Sequence, residues 1–83
     1  MIRVTAEFLL KDGAYEEALK TARELIEITR SENGCIQYNM VQSNENEKEL
    51  MIFECWEDQK VLDIHSESEH FKRLVPKLAK LCE

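Results

Sequence analysis

Hydrophobic and polar positions alternate at the start of the chain. Ile2, Val4, Ala6, Phe8 and Leu10 fall on one side and Arg3, Thr5, Glu7 and Leu9 on the other, which predicts a strand over 2–10 with one core face. After Lys11-Asp12-Gly13, which offers a turn and a helix N-cap, the period lengthens. Tyr15, Ala18, Leu19, Ala22, Leu25 and Ile26 recur at helical spacing, with Glu16 and Glu17 suited to the positive end of the helix dipole. The helix is expected to run to about Ser31, where Glu32-Asn33-Gly34 supplies residues able to close it in the left-handed conformation.

The period then returns to two. Cys35 to Gln42 reads as a second strand with Ile36, Tyr38 and Met40 on one face and Asn39 opposite, and the polar run from Ser43 to Lys48 reads as a hairpin loop. A third strand, Glu49 to Trp56, places Leu50, Ile52, Glu54 and Trp56 on one side and Met51, Phe53 and Cys55 on the other. Apolar groups on both faces predict a cover on each: helices on one side and another sheet on the other. So short a chain does not easily supply both covers, and a homodimer through sheet packing is expected. From Asp58 a short helix with Val61, Leu62 and His65 on one side leads to Ser66-Glu67-Ser68-Glu69, where Ser66 and Glu69 have capping-box spacing. The last helix is amphipathic, through Phe71, Leu74, Val75, Leu78, Leu81 and Cys82, and Pro76 is expected to bend it or start a new turn near Val75.

Strand, helix, strand, strand, helix is the order of an α+β, ferredoxin-like split β-α-β domain with an antiparallel sheet. It occupies residues 1–83 as a single domain, and the fourth strand that would finish it does not follow Glu83. A chain of this size buries only about 60 to 65% of its unfolded surface, so a partner subunit would thicken its core. The net charge of −6 lacks the basic stripe that phosphate binding needs, which disfavours nucleic acid and anionic membrane surfaces. The N-terminus carries Glu7 inside its apolar run and reads as no signal peptide, and no apolar run approaches the roughly 18 residues that span a bilayer. Cys35, Cys55 and Cys82 are odd in number and widely spaced, which fits reduced thiols in a cytoplasmic protein rather than a disulfide framework or zinc knuckle.

Two segments carry a resemblance. "SENGCIQY" is similar to a glutamate-x-glycine-cysteine-x-x-tyrosine turn and strand, and "FECWEDQKVLDIHSESEHF" is similar to an E-x-W strand end followed by H-x-x-S-x-H-F. Together, in this order and at this separation, they resemble the antibiotic biosynthesis monooxygenase family, whose members are dimeric ferredoxin-like α+β barrel proteins. Haem-degrading relatives place an asparagine on the first strand, and Ile2 to Phe8 contains none, so haem degradation is not carried over. For quinol-oxidising members the resemblance implies oxidation of electron-rich aromatics by O2 without metal, flavin or other cofactor.

That chemistry needs a base that removes a phenolic proton, in a dry pocket. A histidine suits it, with an ordinary pKa of about 6.5. His65 is the candidate base, because it turns toward the same side as Val61 and Leu62; a histidine in the last turn of a helix also simply meets the helix dipole. Trp56 could stack on a planar substrate or be a core aromatic, and Glu54 could bind a hydroxyl or orient a histidine. Tyr38 and His70 complete the candidate substrate-binding set. The histidines straddle a helix break with no third ligand nearby in sequence, so no metal site is expected. Two other functions stay open: isomerisation of a small phosphorylated hydroxyketone, which the resemblance to the family's autoinducer-processing members implies and which needs a helix N-terminus or a cation such as Arg3 or Lys72 in the pocket, and a non-catalytic dimeric binding or stress module. A dry cavity beside His65 and Trp56 would favour the oxygenase, a cationic one the isomerase, and a filled one the binding module.

Overall fold

The computed structural model describes all residues from Met1 to Glu83. Strand β1 (Ile2–Leu9) is followed by α1 (Tyr15–Arg30), the hairpin β2 (Cys35–Gln42) and β3 (Glu49–Trp56), then α2 (Gln59–Ser66) and α3 (Glu69–Lys80). The sheet is antiparallel in the order β1-β3-β2, so β3 is central. This is the α+β, ferredoxin-like arrangement with an unclosed sheet.

Alternation decides which side chains meet the helices. Val4, Ala6 and Phe8 of β1 lie beside Glu54, Ile52 and Leu50 of β3, and Tyr38 and Met40 of β2 flank the other side. Against this face pack Ala22, Leu25 and Ile26 of α1 and Leu74 of α3, forming one core around Trp56 and Ile52. A smaller cluster joins Leu10, Ala18, Leu50 and Leu78 at the other end. The opposite face of the sheet has no cover within the chain: Leu9, Val41 and Phe53 are exposed there.

Several local expectations are corrected. Ile36 is exposed rather than inward, because a register shift between Cys35 and Gln37 breaks the alternation and sets Cys35 beside Trp56 instead. Helix α1 starts at Ala14 without a side-chain cap, while Asp12 pairs with Lys48 at 2.7 Å. Ser66 does not cap α3, since it is still helical in α2; Ser68, with extended φ and ψ of −71° and 157°, accepts the Phe71 N–H. Helix α3 runs unbroken past Pro76 to Lys80. Strand β1 is an edge, and residues 81–83 pair along its end through Lys11 N–H to Leu81 O and Glu83 N–H to Leu9 O.

Candidate active site

Residues two apart on a strand share a face, and at the end of β3 this turns Glu54 and Trp56 together toward the helices. The fully buried indole donates its Nε1–H to Glu54 Oε1 at 3.0 Å. Tyr38, 3% exposed, sits opposite Glu54 in the β2–β3 register. His65 reaches the same place from the last turn of α2, and it is the only buried residue of that helix. Its ring lies 4.6 Å from the Trp56 ring, 5.6 Å from Tyr38 and 5.1 Å from Phe71, measured between centroids. The imidazole is thus enclosed on several sides by aromatic surface.

One polar partner enters this apolar setting. Glu32, in the turn after α1, sends Oε2 to 2.6 Å from His65 Nδ1 and 2.8 Å from His70 Nε2. A carboxylate only accepts, so these contacts assign the proton of His65 to Nδ1 and that of His70 to Nε2. In the neutral ring His65 Nε2 then carries the lone pair, buried and without any hydrogen-bond partner. An orphaned buried polar atom costs on the order of 1–3 kcal/mol, which packing alone does not explain.

Ser68 holds the two histidines in relation to each other. Its hydroxyl donates to His65 O at 2.6 Å, accepts from Phe71 N–H at 3.3 Å, and stands 3.3 Å from His70 Nε2. The spacing of His65, Ser68, His70 and Phe71 therefore has a physical cause: one hydroxyl closes α2, caps α3 and steadies His70. Gly34 ties the preceding turn to the same region. Its φ of +86° suits glycine, and a Cβ there would lie 2.7 Å from Val61 Cγ1 on α2.

Burial acts on the ionisable neighbours. It pushes the Glu54 carboxyl above the usual carboxylate range, against the opposing hydrogen bond from Trp56 and, when the His65 ring is charged, the field of that ring. Burial, followed by the charge of Glu54, raises the Tyr38 phenol, which makes it a donor rather than a base. Cys35 is raised by burial and then by Glu32 and Glu54, so it stays a thiol, as a structural role requires.

The family model for antibiotic biosynthesis monooxygenase matches residues 1–77. The chain belongs to the antibiotic biosynthesis monooxygenase family. It is 31% identical over 77 residues to the Bacillus subtilis protein named "Putative monooxygenase YcnE", covering 93% of this chain and 81% of that one. It is 30% identical over 76 residues to the uncharacterized protein sll1783 of Synechocystis, covering 92% of this chain but spanning only about half, 52%, of the relative. A crystal structure of an antibiotic biosynthesis monooxygenase superposes with a TM-score of 0.95 at 35% identity, covering 100% of this chain and 87% of the other.

In this member of the antibiotic biosynthesis monooxygenase family, Tyr38, Glu54, Trp56, His65 and His70 all gather at one end of the sheet, beneath α2 and the start of α3. Glu32 is the member of this cluster that the sequence does not single out: it stands in the matched "SENGC" segment, where its neighbours mark it only as part of a helix end. It is also the third possible ligand that the sequence did not offer beside the two histidines. The three principal clefts, of about 620, 450 and 310 Å³, are lined by none of His65, Trp56 or Glu54; the ring of His65 is packed, not open. Arg3 lies on the uncovered sheet face and Lys72 pairs with Glu67 at 2.8 Å, so neither supplies a cationic pocket.

Proposed function

We propose that the chain oxidises a small quinol or related phenol with O2, using no metal, flavin or other cofactor. The observation that carries this reading is the bare Nε2 of His65, a buried base whose tautomer Glu32 fixes through Nδ1. His65 removes a hydroxyl proton, and the resulting anion passes one electron to O2, a step suited to a water-excluded site. Recombination puts one oxygen atom on the ring, and collapse of the peroxide releases the other as water. A quinol plus O2 thus gives a hydroxyquinone plus water, both reducing electrons of the quinol being consumed. Trp56, Tyr38, His70 and Glu54 border the aromatic ring that enters: Trp56 stacks on it, held by Glu54, and the protonated Tyr38 donates to a developing oxyanion.

Entry requires α2 or Phe71 to yield, and α2 is anchored by His65 as its single buried residue. The uncovered sheet face, with exposed Leu9, Val41 and Phe53 around Met51, supports a homodimer formed by packing two such faces. A cytoplasmic location suits free thiols, and no helix is long and apolar enough to cross a membrane. The filled ring around His65 favours one second reading, a non-catalytic binding module.

Oxygen uptake separates the two. Chelator-treated protein given a panel of naphthoquinols and anthrone-like phenols is expected to consume O2 with saturation, and His65→Ala to lose about 100-fold. Uptake at the buffer rate across the panel would leave the binding module standing instead.

A further inference from the structure

Glu32, His65 and His70 come from three different segments: the turn after α1, the end of α2 and the start of α3. One ligand atom from each lies within 4.8 Å of the other two. We propose that this trio is a binding site for a divalent transition cation such as zinc, and that occupancy switches His65 Nε2 from proton acceptor to proton donor. Hydrogen bonds of 2.6 and 2.8 Å hold the three groups together.

Two imidazoles and a carboxylate form a donor set that zinc and its neighbours accept. With bonds of about 2.0–2.1 Å, ligand atoms at the corners of a tetrahedron stand roughly 3.3 Å apart. The two carboxylate contacts of 2.6 and 2.8 Å need to open by only a fraction of an ångström to reach that spacing, while the two ring nitrogens, within 4.8 Å of each other, need to draw together. The side chains of Glu32 and His70 are 13% and 11% exposed, so the cation would sit just under the surface with a short path in.

The consequence follows from counting protons. In the metal-free site His65 carries its proton on Nδ1 and keeps a lone pair on Nε2. A cation on Nδ1 takes the lone pair there, and the proton of the neutral ring then resides on Nε2. His70 shifts in the opposite sense, from Nε2 to Nδ1, so the exchange needs no net proton release. The buried, unpartnered Nε2 would become an N–H aimed into the aromatic enclosure. That form cannot accept a phenolic proton. Inhibition, though not binding, rests on the base role proposed above.

The test uses the full chain, stripped with chelator and titrated with Co(II) by visible absorption and with zinc by calorimetry. One cation per chain is expected, with binding weakened more than about tenfold in Glu32→Gln and in His70→Gln, both checked for folding by circular dichroism. Nitrogen-15 spectra are expected to move the His65 proton from Nδ1 to Nε2 on adding zinc, and O2 uptake, where the chain has it, to fall at the same cation ratio. No binding, undiminished binding in Glu32→Gln, or a sulfur-to-cobalt charge-transfer band marking cysteine ligands would overturn the site. A His65 proton that stays on Nδ1 in the zinc form would overturn the switch. Because binding and tautomer are read without substrate, they decide the proposal even if the chain oxidises no quinol.

Discussion

Gly34 joins the turn that carries Glu32 to the helix that carries His65, and Gly34→Ala should expose how tightly. Two terms add. An alanine at φ +86° takes up a left-handed conformation costing about 1–2 kcal/mol. Its Cβ would also meet Val61 Cγ1, Cγ2 and Cβ at 2.7, 2.8 and 2.9 Å, and a β-branched side chain on a helix cannot swing aside. Overpacking of this kind costs typically 1–3 kcal/mol. The total, about 2–5 kcal/mol, is a large share of the roughly 4–12 kcal/mol expected for a domain of this length. Gly13 is the control, with φ +79° and nothing within 4 Å of its Cβ, so Gly13→Ala should lose only the conformational term. Urea unfolding of both variants measures the difference. Val61→Ala in the Gly34→Ala background removes two of the three clashing atoms and should recover part of the loss. Equal losses for Gly13→Ala and Gly34→Ala, or no recovery from Val61→Ala, would refute the claim that α2 rests directly on this turn.

Other outcomes follow from the same site. Burial raises the folded-state pKa of Glu54 above its ordinary value of 4.5, so between that value and the raised one the folded state holds more protons than the unfolded. Its favourable contribution is therefore complete below about pH 4.5 and is lost as pH rises through the folded value; Glu54→Gln should be more stable relative to wild type at pH 7 than at pH 4, and parallel stability-pH curves would show the carboxyl to be unshifted. Ser68→Ala removes the cap of α3 and the bond to His65 O, and should lower stability by about 1–2 kcal/mol in urea unfolding while weakening O2 uptake. Phe53→Glu on the uncovered sheet face should shift a dimer to monomer by light scattering, and an unchanged mass would place any interface elsewhere.

Much of this fold is legible because its signals are local. The alternation of β1 and β3 places their inward residues and the stripe of α1 places Ala18, Ala22, Leu25 and Ile26, since a period of 2 or 3.6 is a property of neighbouring positions, whereas Leu19 is only half-buried and the buried Thr21 and Thr29 are polar positions that the stripe passes over. What fails is local ambiguity. Ser66 and Ser68 both offer a cap, and the choice is made by how far α2 runs before the chain extends at Ser68. Ile36 reads as inward until the register shift after Cys35 turns it out. Glu32 is missed for a different reason. Its partners are 33 and 38 residues away, and its neighbours in sequence explain it fully as part of a helix end. The residues around Trp56 and His65 could be gathered from sequence because each lies on the inward face of a strand or helix, while the carboxylate that gives the histidine its direction comes from a turn.

The contact from Glu32 holds the His65 proton on Nδ1 and, in the neutral ring, leaves Nε2 bare. Long-range nitrogen-15 correlation spectra of the metal-free protein, recorded with the ring neutral, read this directly. The predicted result is a His65 signal pattern of the Nδ1–H tautomer that is lost or mixed in Glu32→Ala. A neutral His65 protonated on Nε2 in the wild type would contradict it, and with it the assignment of this ring as the base.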